Sequence, residues 1–184
     1  MTTNKNFGKI FEESFKSSVL NCEEKIFFFR IKDVNVPPDL RNRVKLVRND
    51  YDCLMFTSGH LFTLELKSTK EKSISFSESI IKQHQIDNLL EASTHNGVIS
   101  GFLFNFREPE NRLFFIHIRD FIDYQMAAQR KITNHKYRAK INKSSIPISI
   151  CEEIGIEIKS TKMRVNYKYN IKEFVKEALL KYES

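Results

Sequence analysis

The stretch that most constrains this chain is Asn49 to Lys70, NDYDCLMFTSGHLFTLELKSTK. It predicts two short strands, roughly Tyr51 to Phe56 and Leu61 to Ser68, joined by a turn at Ser58-Gly59. Successive side chains of a strand point to opposite faces. Leu61, Thr63, Glu65 and Lys67 therefore share one face, and Phe62, Leu64 and Leu66 share the other. The second set is wholly apolar and demands a core. The first set then points a carboxylate and an ammonium together toward a cleft or toward solvent. If the strands pair so that Asp52 stands near Glu65, the two carboxylates can share a hard divalent cation such as Mg²⁺ or Mn²⁺. Lys67 beside them can position or stabilise a hydrolytic nucleophile. Solvated charges on a strand face give the same pattern, so the rest of the chain must decide.

A chain of 184 residues suits one domain, 1–184, with room for a protruding element. Its 16 Phe supply a sizeable core, and its charges are mixed in sign, which excludes a disordered polyelectrolyte. The net charge of +7 points to a polyanionic partner, nucleic acid before an anionic membrane. Cys22, Cys53 and Cys151 stand apart in apolar surroundings, with no spacing that suits zinc. A disulfide scaffold is not expected, which fits a reducing cytoplasm. No apolar run approaches membrane-spanning length and the first residues lack a signal core, so a soluble, cytoplasmic protein is expected.

In chain order, Phe7 to Leu20 has helical periodicity, with Phe7, Ile10, Phe11, Phe15 and Val19 on one side. Glu12 and Glu13 lie around it; Glu12 either solvates the outer face or reaches the metal centre. Lys25 to Lys32 reads as a strand or buried extended segment. The Pro37-Pro38 pair then breaks regular structure. Arg41, Arg43, Lys45 and Arg48 follow closely, either as a basic projection onto nucleic acid or as an ordinary surface loop. Beyond the hairpin, Ser77 to Ser93 predicts a helix with Ile80, Ile81, Gln85, Asn88, Leu89 and Ala92 inward. Gln85 can hydrogen-bond a phosphate or a metal-bound water.

Gly97 to Phe106 is a continuous apolar run, as expected of a buried strand, and Arg112 to Arg119 is its partner. A helix follows from Asp120, a candidate N-cap. Gln129 to Lys143 holds Arg130, Lys131, Lys136, Arg138 and Lys140 with Tyr137 among them and no acid, suited to phosphate contacts. Ser149 and Glu152 have capping-box spacing. Glu157 to Lys168 is basic and partly β-like, and Asn170 to Tyr182 closes the chain as an amphipathic helix.

The order is helix with an acidic pair, strand with Asp, strand with Glu-x-Lys, helix with His-Gln, then two strands. It resembles the core of the PD-(D/E)xK nuclease superfamily, and within it the RecU family of Holliday junction resolvases. Asp52, Glu65-Leu66-Lys67, Ser75-Phe76, Gln83-His84-Gln85, Gly97-Val98-Ile99 and Phe104-Asn105-Phe106 carry the resemblance. It implies an α/β fold: a restriction-endonuclease-like mixed β-sheet flanked by helices, with a short basic stalk around 34–48. It also implies a homodimer that binds branched DNA, specifically four-way junctions. Such an enzyme nicks two opposing strands with Mg²⁺ (or Mn²⁺), leaving 5′-phosphate and 3′-hydroxyl ends. Asp52 and Glu65 would then be metal ligands, Lys67 the catalytic lysine, Gln85 the glutamine of the HQ segment and Glu12 the acid of the first helix. The chain departs from the family at Asn49-Asp50, where Ser-Thr is common. Asp50, two residues before Asp52, is placed to add a third carboxylate to the metal set.

Two other functions are compatible with these residues. One is a restriction-like endonuclease acting on linear DNA. The other is a non-cleaving protein that bridges DNA or modulates a recombinase.

Overall fold

The computed structural model describes residues 7–32, 37, 39, 43, 49–130, 132 and 134–183. A six-stranded sheet forms its middle layer. It comprises β1 (Phe27–Arg30), β2 (Cys53–Thr57), β3 (His60–Thr69), β5 (Val98–Phe106), β6 (Arg112–His117) and β8 (Ile156–Glu157), side by side in that order. Only the β3–β5 pair is parallel; the other neighbours are antiparallel. The parallel pair is joined through β4 (Ser73–Ser75) and α2 (Gln83–Ala92), the crossover that parallel strands need. This is the mixed α/β architecture expected from the sequence. The 34–48 stalk expectation, with Arg41, Lys45 and Arg48, lies outside the described residues, as does Lys131.

The hairpin between β2 and β3 is set by Ser58-Gly59. Both residues have positive φ, 51° and 79°, the backbone of a two-residue turn that follows the twist of the strands. Register is thereby fixed at Thr57 opposite His60 and Cys53 opposite Leu64. The strand pattern then divides the side chains between two cores.

On one face Met55, Phe62, Leu64, Leu66, Leu103 and Phe115 pack beneath α1 (Phe7–Leu20) and α5 (Ile171–Tyr182). On the other, Phe102, Phe104, Phe114 and Ile116 pack beneath α2, α3 (Ile118–Gln129) and α4 (Ile148–Ile154). Burial on both faces explains why β5 reads as an unbroken apolar run rather than an alternation. Gly101 is required there: a Cβ would run into the Ile116 carbonyl of β6.

Three details differ from the sequence expectations. The helix expected from Ser77 starts at Gln83, and the turn before it leaves Ile80 exposed. α3 is capped by the His117 imidazole, which accepts from the Arg119 N–H, and not by Asp120. Asp120 is occupied by the Tyr182 hydroxyl at 2.8 Å. β7 (Ser145–Pro147), paired with β4, runs directly into α4, so Pro147 precedes the helix and Ser149 lies within it. β1 is a strand, one of the two forms expected of that segment, and is covered on one side: Phe28 packs against Phe15, whereas Phe27 and Phe29 are exposed.

Candidate active site

β2 begins only at Cys53 while its partner β3 continues past Leu64 to Thr69, so the ladder opens where Asp52 stands opposite Glu65. A buried backbone N–H needs a partner, and the Asp52 carboxylate supplies one: Oδ2 accepts from Leu66 N at 2.8 Å. That bond ties Asp52 to the strand carrying Glu65 and Lys67. Glu65 is 4% exposed and lies within hydrogen-bonding reach of Asp52. Its Oε1 accepts from Lys67 Nζ at 2.9 Å and from Gln85 Nε2.

Gln85 arrives there for a local reason. It is in the first turn of α2, and its Oε1 accepts from the Lys82 N–H at 3.1 Å, closing the open helix end. The amide nitrogen is left aimed at Glu65. The rest of the buried face, Ile86, Leu89 and Ala92, anchors the helix to the sheet. Phe76, in the segment before it, packs edge-on against Phe121 at 5.8 Å and serves as an anchor rather than a reactive group.

Burial, then the neighbouring Asp52 carboxylate, push the Glu65 carboxyl up to about 7, against the pull of Lys67. Two carboxylates and one lysine in a small buried space form an under-neutralised set of hard oxygen donors. Such a set fits Mg²⁺ or Mn²⁺. Among the described residues, no group of three or more His, Cys, Asp or Glu is arranged to hold a metal. Further donors to a cation here would therefore be other oxygens; Gln85 presents its amide nitrogen to Glu65 and keeps its own oxygen on the Lys82 N–H.

The remaining two sequence candidates for the metal set are placed differently. Glu12 is engaged by a guanidinium: Arg30 Nη2 donates to its Oε2 at 2.8 Å. Asp50 lies in a bend before β2 rather than on its face, where its Oδ1 accepts from Asn88 Nδ2 at 3.0 Å. The structure thus gathers Asp52, Glu65, Lys67 and Gln85 and leaves Glu12 and Asp50 at the rim.

Arg30 is the residue sequence reasoning missed. Its Nη1 donates to the Asp52 carbonyl at 2.5 Å and to the Ile31 carbonyl at 2.8 Å, and stands 3.5 Å from Asp52 Oδ1. With Nη2 on Glu12, one planar fork links α1, β1 and the end of β2. A single Arg at the end of an aromatic run carries no sequence signal for this. Only the β1–β2 register, Arg30 opposite Cys53, puts it beside Asp52.

The basic segments are surface features. Arg43, Arg130, Lys136, Arg138 and Lys140 are exposed. Lys136 sits 3.3 Å from Asp123, and the backbone N–H groups of Arg138 and Ala139 are held by Glu153. Tyr137 is not a stacking platform for bases; it is buried edge-on against Tyr124 at 5.3 Å.

A helix over an antiparallel hairpin, a crossover helix and a parallel strand, with Asp and Glu-x-Lys on the hairpin, define a restriction-endonuclease-like α/β protein. The model of the family Recombination protein U (RecU) matches residues 45–173, and the chain belongs to that family of recombination proteins. It is 50% identical over 179 residues to the SPbeta prophage-derived uncharacterized protein YotM of Bacillus subtilis (strain 168), covering 97% of this chain and 90% of that one. Among solved structures, it is similar to Hjc of Archaeoglobus fulgidus, a Holliday junction resolvase from an archaeal hyperthermophile. That match has a TM-score of 0.49 and 13% identity, over 82% of this chain and 95% of the other.

Proposed function

We propose that the protein is a Holliday junction resolvase: an endodeoxyribonuclease that cuts branched DNA by paired, symmetric nicks. The observation that carries this is the convergence of Asp52, Glu65, Lys67 and Gln85 at the open end of the β2–β3 ladder. That cluster lies in a chain of the RecU family.

Asp52 and Glu65 would hold a divalent cation, Mg²⁺ or Mn²⁺. When bound, the cation lowers the pKa of a water and offsets charge on the scissile phosphate. Lys67, beside Glu65, steadies the developing negative charge or orients the attacking water. Gln85 fixes the Glu65 carboxylate through the same oxygen that Lys67 engages, and Arg30 holds Asp52 through its main-chain oxygen. Glu12 and Asp50 act from the rim, Glu12 through Arg30.

The substrate is gripped by phosphate contacts from Arg130, Lys131, Lys136, Arg138 and Lys140. The basic segment 34–48, with Arg41, Arg43, Lys45 and Arg48, is a second grip on the junction. These contacts weaken steeply with salt. The working unit is a homodimer of 184-residue nuclease domains acting in the cytoplasm. Among the described residues, no helix is long and apolar enough to cross a membrane.

The test is cleavage of a synthetic four-way junction and a linear duplex of the same sequence, with Mg²⁺ or Mn²⁺. Junction-selective nicking that is lost in Asp52→Asn supports the proposal. Equal cutting of linear duplex points to a restriction-like enzyme. Tight junction binding without cutting in either metal points to a non-cleaving recombination protein.

A further inference from the structure

The stretch Lys159 to Lys172 has no part in the site described above. It holds five Lys or Arg and no Asp or Glu. It folds as a two-stranded ribbon, β9 (Ser160–Lys162) against β10 (Tyr167–Tyr169), with Lys162 opposite Tyr167. The root of the ribbon is pinned. Tyr169 is buried edge-on against Phe11 at 6.1 Å, and its N–H donates to Ser18 Oγ at 2.9 Å. Ser160 Oγ donates to the Asn111 carbonyl at 3.3 Å. The tip is Met163-Arg164-Val165-Asn166, closed by the Met163 N–H on the Asn166 carbonyl at 2.8 Å. Tight turns favour Gly, Pro, Asn and Asp. This one instead holds out two large apolar side chains, Met163 at 52% exposure and Val165 at 84%. Among the described residues, no other large hydrophobic side chain is as exposed as Val165.

We infer that this ribbon is a DNA-contacting arm. Its cations seat on the phosphates that flank a groove of one duplex arm, and Met163 and Val165 wedge a base step there. The inference rests on branched DNA being the substrate, and it adds a third grip, separate from the segments 34–48 and 130–140. Charge selects this occupant. Lys159 lies 3.1 Å from Glu173 and Lys172 3.7 Å from Glu23. Among the described residues, Lys162, Arg164 and Lys168 have no acidic partner. Three unpartnered cations around an apolar tip repel a second copy of themselves and suit a polyanion. Two-stranded ribbons enter duplex grooves. Apolar side chains carried into a groove part stacked bases and kink the duplex.

The surface beside the ribbon fits one strand of that duplex. Between β10 and α1 lie two adjoining hollows of about 510 and 490 Å³, which share Ser18, Asn21 and Lys168 as walls. Hydroxyl, amide and ammonium groups of this kind are the donors that phosphate oxygens accept from. Position links the ribbon to the site. α1 carries the root of the ribbon on Phe11 and Ser18, and Glu12 of the same helix is tied through Arg30 to Asp52. A duplex held on the ribbon is therefore held on the helix that borders the candidate active site.

The experiment compares wild type with Lys162→Ala/Arg164→Ala/Lys168→Ala and with Met163→Ser/Val165→Ser. Binding to a synthetic four-way junction is followed by fluorescence anisotropy in chelator, where no cutting intervenes, as NaCl rises. Thermal melts and light scattering verify fold and assembly. The triple variant is expected to bind about tenfold or more weakly at low salt, with the slope of log K against log[salt] shallower by about 2.7, ~0.9 for each of three phosphates. 2-Aminopurine placed in turn along one arm is expected to brighten at one step with wild type. It should brighten at none with Met163→Ser/Val165→Ser, which keeps the wild-type slope. A folded triple variant with wild-type affinity and slope overturns the inference. So does an arm in which wild type brightens no step. Folded variants that change the assembly and not the slope would make the ribbon a protein contact, and overturn it too. An unchanged slope alongside metal-dependent junction nicking overturns the ribbon and leaves the resolvase reading standing. The predicted slopes in a protein that cuts DNA in no metal uphold the ribbon and overturn the resolvase reading.

Discussion

Replacing Glu65 with Gln should stabilise the metal-free protein above neutral pH while abolishing its response to a divalent cation. The Glu65 carboxyl is pushed from 4.5 up to about 7 by burial and by Asp52, with Lys67 pulling the other way. A folded-state value above the unfolded one means the fold favours the protonated form. The associated stability is full below about pH 4.5 and is lost as pH rises through about 7. A shift of that size corresponds to about 3 kcal/mol at ~1.4 kcal/mol per pH unit.

Gln imitates the protonated acid, but its amide N–H group must find an acceptor beside Asp52 and it loses the ion pair with Lys67. A net gain of about 2 kcal/mol at pH 8 is therefore expected, or roughly 4–8 °C in Tm for a chain of this size. The assay is a thermal melt in chelator from pH 5 to pH 8, repeated with Mn²⁺. Wild type should lose stability across that range and recover it with Mn²⁺; the variant should be flat and unresponsive. A variant less stable than wild type at pH 8 in chelator would refute the picture of two crowded, under-neutralised carboxylates.

Three further outcomes follow from named contacts. His117, stacked on Tyr182 at 4.5 Å, is lowered to about 4 by burial, so its contribution is lost as pH falls from about 6.5 through 4. His117→Asn, which retains a capping side chain, should flatten the acid limb of the melt profile. Arg30→Ala should cost about 1 kcal/mol, since the pair is partly exposed, and should slow cleavage at least tenfold by releasing Asp52 and Glu12. Arg30→Lys, unable to span both partners, should not rescue the rate in single-turnover cleavage. Gly101→Ala, which forces a methyl into the β6 backbone, should lower the urea midpoint by more than any surface substitution.

Much of this architecture was legible in the residues themselves. The alternation Leu61 to Lys67 located both the core and the site face, because one set is wholly apolar and the other carries Glu65 and Lys67. The first helix, Phe7–Leu20, followed from its periodicity. What failed was decided by tertiary contact. Ile80 and Ile81 extend a helical pattern in sequence, but the chain turns to seat Ile81 alone in the core. Asp50 shares a strand period with Asp52, yet the strand begins only at Cys53, and Asn88 draws Asp50 aside. Arg30 had no local mark, because its partners lie 18 and 22 residues away along the chain.

The most direct test of the account is cleavage of a four-way junction by wild type, Asp52→Asn and Glu65→Gln across a Mn²⁺ titration. The account predicts symmetric nicks by wild type that require the metal. It also predicts no nicks from either variant, with junction affinity preserved because the proposed phosphate contacts lie elsewhere. Metal-dependent cutting that survives both substitutions would contradict it.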